Sequence, residues 1–361
     1  MGDFDPPVCY TESDRRPDPG GRGPPERRAA QINTCKRRNK MFLAVILFAV
    51  GLVLLIKGGD WFVDGATGIA RRYHVPELLI GATVVSIGTT LPEVMVSAQS
   101  ALTGHGEIAY GNAIGSIICN TALISAITIT VTPQNVDKKT IRTPVLFFFS
   151  AAAIYCITAY LIGYFYRPMG LILLAIFLVY MYMTVRQMTG QPQAAAQEEE
   201  VQEESPLWKD LLLLVVGAAL IAIGADLLVD NGTLIAQGLG VPESVIALTF
   251  VALGTSLPEL VTAITSLVRG HGALSLGNII GANLFNLVLV SGVSVTLSPF
   301  AVPASKTVAG YNASLLIDIP VMLFVMAFMT LPALARGKLT RTQGIILLAV
   351  YFTFCISQFV M

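Results

Sequence analysis

The chain has 361 residues, of which 54 % are hydrophobic and only 13 % charged, with a mean hydropathy of +0.69 and 23 Lys and Arg balanced by 23 Asp and Glu. Soluble domains carry about 25 % charged residues, so this composition excludes a soluble globular protein and describes one that crosses a lipid bilayer several times. Cys9, Cys35, Cys119, Cys156 and Cys355 are scattered without a C-x-x-C, which excludes a disulfide framework and a structural zinc site.

Residues 1–40 are rich in Pro, Gly and Arg, hold nine Lys and Arg, and contain no apolar run; they read as a disordered tail. The first apolar run opens at Met41, and two readings of the tail stand: an upstream start, with the native chain beginning at Met41, or a real, mobile extracytoplasmic tail. A span needs about 20 apolar residues, and the first half of the chain, 41–187, supplies five candidates at 41–57, 76–102, 108–131, 144–164 and 168–187. Residues 188–206 form an acidic, polar linker. The second half, 207–361, supplies five more at 207–228, 242–267, 273–297, 311–333 and 341–360. The fold class expected is therefore an all-α membrane protein of ten transmembrane helices.

The two halves are copies. GATVVSIGTTLPEVM and ALTFVALGTSLPELV align 166 positions apart, pairing Asp60 with Asp226, Asp64 with Asp230, Pro92 with Pro258, Glu93 with Glu259, His105 with His271, Asn112 with Asn278 and Asn120 with Asn286. Five spans is an odd number, so the second copy enters the membrane from the opposite side and the repeat is inverted, as in many secondary transporters. The loops after spans 1, 3, 5, 7 and 9 carry twelve Lys and Arg, whereas the other loops carry only Arg167 and Lys306. The positive-inside rule then makes the linker cytoplasmic and the termini extracytoplasmic. The basic residues before Met41 disagree with this orientation, and a start at Met41 removes the disagreement.

The chemistry lies in the second and seventh spans. Ser86, Thr90 and Glu93 follow one another at four and three residues on a helix face, with Thr89 one turn before Glu93. Pro92 has no N–H for the carbonyl of Gly88, so the span is expected to unwind at its middle and to free backbone oxygens. The second copy repeats the arrangement with Ala252, Thr255, Ser256, Pro258 and Glu259. The third span brings Asn112, Ser116 and Asn120 to one face beside Gly111 and Gly115, and the eighth brings Asn278, Ala282 and Asn286 beside Gly277 and Gly281; these small residues permit close helix approach. Two carboxylates with amide and hydroxyl oxygens, and no imidazole or thiolate cluster, select a hard cation such as Ca²⁺ or Na⁺. No Lys or Arg lies mid-span to pair the glutamates structurally. Asp60, Asp64, Asp226 and Asp230 read as interfacial residues, and His105 and His271 as turn or cap residues.

GTTLPE and GTSLPE, each followed by GN-x-IG-x₄-N, resemble the paired alpha repeats of the cation/calcium antiporter superfamily, and within it the prokaryotic type of sodium/calcium exchanger. The resemblance implies ten helices, alternating access, and exchange of about three Na⁺ for one Ca²⁺. It implies Glu93 and Glu259 as shared ligands of both ions, hydroxyls or carbonyls from Thr89, Thr90, Thr255 and Ser256, backbone oxygens of Ser86 and Ala252, and Asn120, Ser116 and Asn286. Many members carry aspartate at the position of Asn286 and serine at that of Ala282. The missing aspartate leaves two charges in the site, which neutralise one Ca²⁺ but leave three Na⁺ with an excess positive charge.

No cofactor, nucleic acid or obligate protein partner is expected, only the bilayer and the transported Na⁺ and Ca²⁺. A prokaryotic inner membrane is the expected location. Two readings compete with Na⁺/Ca²⁺ exchange. One is H⁺/Ca²⁺ or K⁺-coupled exchange, since a glutamate pair could trade two protons for one Ca²⁺. The remote one is an intramembrane acid enzyme, which would want a pair of aspartates rather than duplicated glutamates.

Overall fold

A computed structural model describes residues 25–73, 75–190, 206–238, 254, 256–304, 307–308 and 310–360. Ten helices are found among them: α1 (Pro25–Arg72), α2 (Glu77–Leu102), α3 (Gly106–Val131), α4 (Lys138–Ile162), α5 (Arg167–Gly190), α6 (Leu207–Gly238), α7 (Leu257–Val268), α8 (Gly272–Leu297), α9 (Ser314–Arg336) and α10 (Arg341–Val360). Eight, α1 to α6 with α8 and α9, are long and apolar enough to cross a membrane. The residues before α7, including part of the predicted span 242–267, lie outside the described ones.

Two boundaries differ from expectation. Helix α1 begins at Pro25, so residues 25–40, expected in a disordered tail, are helical; residues 1–24 lie outside the described chain. It also continues past residue 57 to Arg72. Gly58, Gly59, Asp60 and Asp64 lower the local hydropathy, but Phe62, Val63, Ala66, Ile69 and Ala70 are buried at helical spacing, and that face keeps the segment folded against its neighbours.

Helices α1 and α6 form an antiparallel pair. Gly51, Gly58 and Gly65 recur every seven residues and meet Gly224, Gly217 and Asp210 in reverse order; a Cβ at Gly65 would lie 2.5 Å from the carbonyl oxygen of Asp210. Only 22 % of the apolar window of either helix is buried, against 72 % for α3 and 83 % for α8, so the pair lies at the periphery and α3 with α8 forms the centre. Glycine again sets the approach of α2 to α8: a Cβ at Gly277 would lie 2.2 Å from the Leu78 carbonyl oxygen, and one at Gly281 would lie 2.3 Å from Ser86 Oγ. Among the described residues nothing lies within 4 Å of a Cβ at Gly111 or Gly115. The segment their expected close approach would meet, residues 244–252 as repeat mates of 78–86, lies outside the described chain.

Short strands report the topology independently of hydropathy. Strand β1 (Gln134–Asn135), after α3, pairs antiparallel with β6 (Lys338–Leu339), after α9. Strand β2 (Tyr164–Phe165), after α4, pairs with β3 (Phe300–Ala301), after α8. These are the same pairing with the two halves exchanged, as an inverted repeat of five helices requires. The first joins two odd-numbered loops and the second two even-numbered ones, so each hairpin belongs to one face. A third, local hairpin joins β4 (Thr307–Val308) and β5 (Tyr311–Asn312).

Candidate functional site

Helix α2 does not unwind at Pro92, contrary to the sequence expectation: Ser86–Leu102 is continuous α-helix. The proline deletes one donor, and the hydrogen bonds on either side maintain the rod. The irregularity lies about two turns earlier, where Gly81–Val85 is π-helical and ends against Ser86. In the second repeat, α7 starts at Leu257 with Pro258 in its first turn and Ser256 as N-cap, where proline's missing N–H costs nothing. The asparagines behave alike in the two halves. Asn120 opens the π-helical segment Asn120–Ser125, and Asn286 opens Asn286–Val290. Such wide turns interrupt the regular carbonyl ladder and are frequent at functional sites.

Glu93 and Glu259 are both wholly buried, and their carboxyls are near enough to interact directly, with the Thr89 hydroxyl beside Glu259. Even so, among the described residues none of their four oxygens has a hydrogen-bond partner of ordinary geometry. The same is true of both side-chain atoms of Asn120, both of Asn286, and Thr90 Oγ1. Among the described residues, nine of the seventeen buried side-chain N and O atoms without a partner belong to these five residues. Each such group ordinarily costs about 1–3 kcal/mol, more if charged, so these five residues are the candidate ligand set.

The remaining predicted residues divide into three groups. Ser86 and Thr89 are buried and engaged across the repeat interface. Ser86 Oγ donates to the Asn278 carbonyl at 2.9 Å, with Asn278 Oδ1 at 3.3 Å and the Gly81 carbonyl at 2.7 Å, and Thr89 Oγ1 donates to Asn278 Oδ1 at 3.2 Å. Both hydroxyls thus donate to protein acceptors on the second repeat. Ser256 and Ser116 are buried, Ser116 one turn before Asn120. Thr255 and Ala252 lie outside the described residues.

Sequence reasoning placed Asn112 and Asn278 on the opposite wall but not their roles. Asn112 Nδ2 donates to Ser97 Oγ at 2.8 Å and to the backbone carbonyl of Glu93 at 3.3 Å, tying α3 to the turn that carries Glu93. It missed Asn283, buried one turn before Asn286, whose Nδ2 donates to Thr121 Oγ1 at 2.7 Å and Met326 Sδ at 3.1 Å. Its signal was a second asparagine inside an apolar helix; its repeat mate is Ile117.

A small cleft reaches this region, lined by Phe62 of α1, Ala218, Ile221 and Ala222 of α6, Gly88, Thr89 and Pro92 of α2, and Pro258 of α7. The α1–α6 pair thus covers the site from the side. Among the described residues no three His, Cys, Asp or Glu side chains converge, so the site is two carboxylates surrounded by neutral oxygens. That donor set fits alkali and alkaline-earth ions and lacks the N and S atoms that zinc or copper prefer.

The aspartates on α1 are not merely interfacial. Asp60 and Asp64 both pair with Arg269 at the end of α7. His105 and His271 stand at the N-caps of α3 and α8, as expected of turn residues, and His271 Nδ1 also meets Glu77 Oε1 at 2.7 Å.

Comparison with known proteins gives a consistent picture. A family model described as "Sodium/calcium exchanger protein" matches residues 43–186 and 209–360. The uncharacterized membrane protein MJ0091 of Methanocaldococcus jannaschii is 35 % identical over 315 residues, covering 86 % of this chain and 96 % of that one. Sodium/calcium exchanger MaX1 of Methanosarcina acetivorans is 27 % identical, covering 87 % and 98 %. A solved structure of the sodium-calcium exchanger NCX_Mj soaked with Na⁺ and Sr²⁺ is 34 % identical and superposes with a TM-score of 0.70 over 87 % of this chain and 98 % of that one.

Proposed function

Because the chain belongs to the sodium/calcium exchanger protein family, we propose that it is an antiporter that moves Ca²⁺ against Na⁺ by alternating access at the Glu93–Glu259 site. The observation that carries the reading is the buried, unpartnered set of oxygens on Glu93, Glu259, Asn120, Asn286 and Thr90. Glu93 and Glu259 ligate both ions. Asn120 and Asn286 supply one amide oxygen each from the opposite wall. Thr89, Thr90, Thr255 and Ser256, with Ser116 and the backbone of Ser86 and Ala252, complete the sodium positions. The protein resides in a prokaryotic-type inner membrane with the 188–206 linker in the cytoplasm.

Electroneutrality decides how much each ion is favoured. A dehydrated charge is costly in a low-dielectric site unless matched, and the two carboxylates match one Ca²⁺ without remainder. Asn286 keeps the shape of a carboxylic acid but adds no charge, so a third Na⁺ binds against an excess positive charge. That favours a second reading, two H⁺ for one Ca²⁺, in which the same pair of glutamates is discharged by protons. Calcium-45 uptake into proteoliposomes distinguishes them. Uptake driven by an outward Na⁺ gradient at constant pH supports the proposal; uptake that ignores Na⁺ and follows a pH gradient replaces it with the second reading.

A further inference from the structure

A site reached alternately from two faces needs a cover that moves, and the cleft lining identifies the cover as the α1–α6 pair. At one place this cover is held by charge. Arg269, the C-cap of α7, extends its guanidinium to Asp60 at 2.9 Å and to Asp64, one turn apart on α1, with Lys57 Nζ 3.9 Å from Asp60. Directly beneath, α1 touches α7 closely: a Cβ at Gly59 would lie 2.8 Å from Thr265 Oγ1 and from Val261 Cγ1. The other end of the same short helix carries Glu259 in its first turn. Twelve residues of α-helix span about 18 Å, so one rigid rod joins the ion site to the clasp.

The inverted repeat shows what the clasp adds. Asp226 and Asp230 occupy on α6 the positions of Asp60 and Asp64 on α1, and they belong to the opposite face. The residue matching Arg269 there is Thr103, also a helix C-cap. Among the described residues neither Asp226 nor Asp230 has an ion-pair partner. The acids are duplicated and the arginine is not.

We propose that Arg269 with Asp60 and Asp64 is a one-sided latch that fastens the cover on its own face and so biases the empty carrier toward the state open to the opposite face. This rests on the alternating-exchange reading of the site. Arg269 is a positioning residue: it touches no ion, and it acts through α1 and α7. A contact present in one state and absent from the other shifts their balance by its own strength. With Arg269 and Asp60 about a third exposed, the effect belongs at the low end for couplings of this kind, about fivefold in population.

The test uses the full chain in lipid nanodiscs with native cysteines replaced by alanine and Thr265→Cys as reporter, since α1 covers that position only while the latch is closed. The ion-free rate of labelling by a hydrophilic maleimide should rise about fivefold in Arg269→Gln and substantially less in Arg269→Lys. Thr103→Arg gives Asp226 and Asp230 their missing partner, fastens the other face, and should also raise labelling at Thr265→Cys. The proposal is overturned if Arg269→Gln leaves the rate within twofold, or if Thr103→Arg leaves it unchanged or lowers it. Calcium-45 flux through the unmodified chain is measured alongside. Flux with unresponsive labelling removes the latch and keeps the exchanger, whereas responsive labelling without flux removes the exchange reading and keeps the fastening.

Discussion

Glu93→Gln separates a ligand from a structural carboxylate because the two roles predict opposite effects on stability. At an effective dielectric constant of about 20, unit charges about 4 Å apart attract by ~4 kcal/mol, so a carboxylate and a divalent ion at that spacing attract by ~8 kcal/mol. Even with two thirds restored by the glutamine oxygen and local relaxation, the loss is about 2.7 kcal/mol, or about a hundredfold in Kd. In the ion-free chain the same change helps, because it removes one of two adjacent buried carboxyls that lack donors. Thermal unfolding in detergent reads both effects. Calcium at a hundred times its Kd stabilises the native chain by about 2.7 kcal/mol; Glu93→Gln should show almost none of that shift at the same concentration, while its chelator-treated form melts about 2 °C or more above the parent. A variant that keeps the full calcium shift, or whose ion-free form is destabilised like a core truncation, would refute the assignment of Glu93 as a ligand.

Asn286→Asp adds a third carboxylate beside two unpartnered ones, so the ion-free chain should melt lower and the stabilisation by Na⁺ should grow more than that by Ca²⁺; equal or reversed changes in ion-dependent melting would contradict the charge argument. Gly65→Ala places a Cβ 2.5 Å from the Asp210 carbonyl oxygen and 2.6 Å from the Leu214 nitrogen, and because both are backbone atoms the α1–α6 pair must separate, at a cost of about 1–3 kcal/mol read as a lower melting temperature. Asp137 caps α4 through the backbone N–H groups of Lys139 and Thr140, and a hydrogen bond from the Thr140 hydroxyl, followed by those backbone groups, holds its carboxyl below the usual range. Its contribution is therefore complete above about pH 4, the ordinary aspartate value, and fades as pH falls through the lower folded value. Asp137→Ala should cost about 1 kcal/mol near neutrality, and the difference from the parent should shrink in melts taken at progressively lower pH below 4.

The buried carboxylates of Glu93 and Glu259 were legible because a charge inside an apolar run has few explanations, and their duplication in register left fewer. The inverted topology was legible from parity, and the exchange of partners between β1–β6 and β2–β3 is that parity seen in backbone hydrogen bonds. Where reasoning from residues failed, the missing information was long-range. Pro92 predicts a break only if the surrounding ladder cannot span one absent donor, and Ser86–Leu102 spans it. Asp60 and Asp64 looked interfacial because their partner lies 205 residues from Asp64. Asn278 could be placed on a face, but its service as acceptor for Ser86 and Thr89 depends on the glycine-mediated approach of α8 to α2, which no local pattern specifies.

An ideal two-fold would make both faces equivalent, and the departures from it fall in a consistent direction. Asn112 Nδ2 is satisfied by Ser97 and the Glu93 carbonyl, whereas its mate Asn278 Nδ2 has no partner among the described residues, where Ala263 stands in the place of Ser97. Asn278 instead spends its oxygen on Ser86 and Thr89. The first repeat therefore holds its glutamate-bearing turn through its own third helix, while the second repeat lends its asparagine to the first. Glu93 sits in a turn anchored from both repeats, and Glu259 sits on a short rod fastened at its far end by Arg269. The proposed latch thus acts on the rod that carries Glu259 and not on the turn that carries Glu93. Two carboxylates of the same chemistry thereby become mechanically distinct, which is the asymmetry an exchanger needs if its two faces are to handle ions differently.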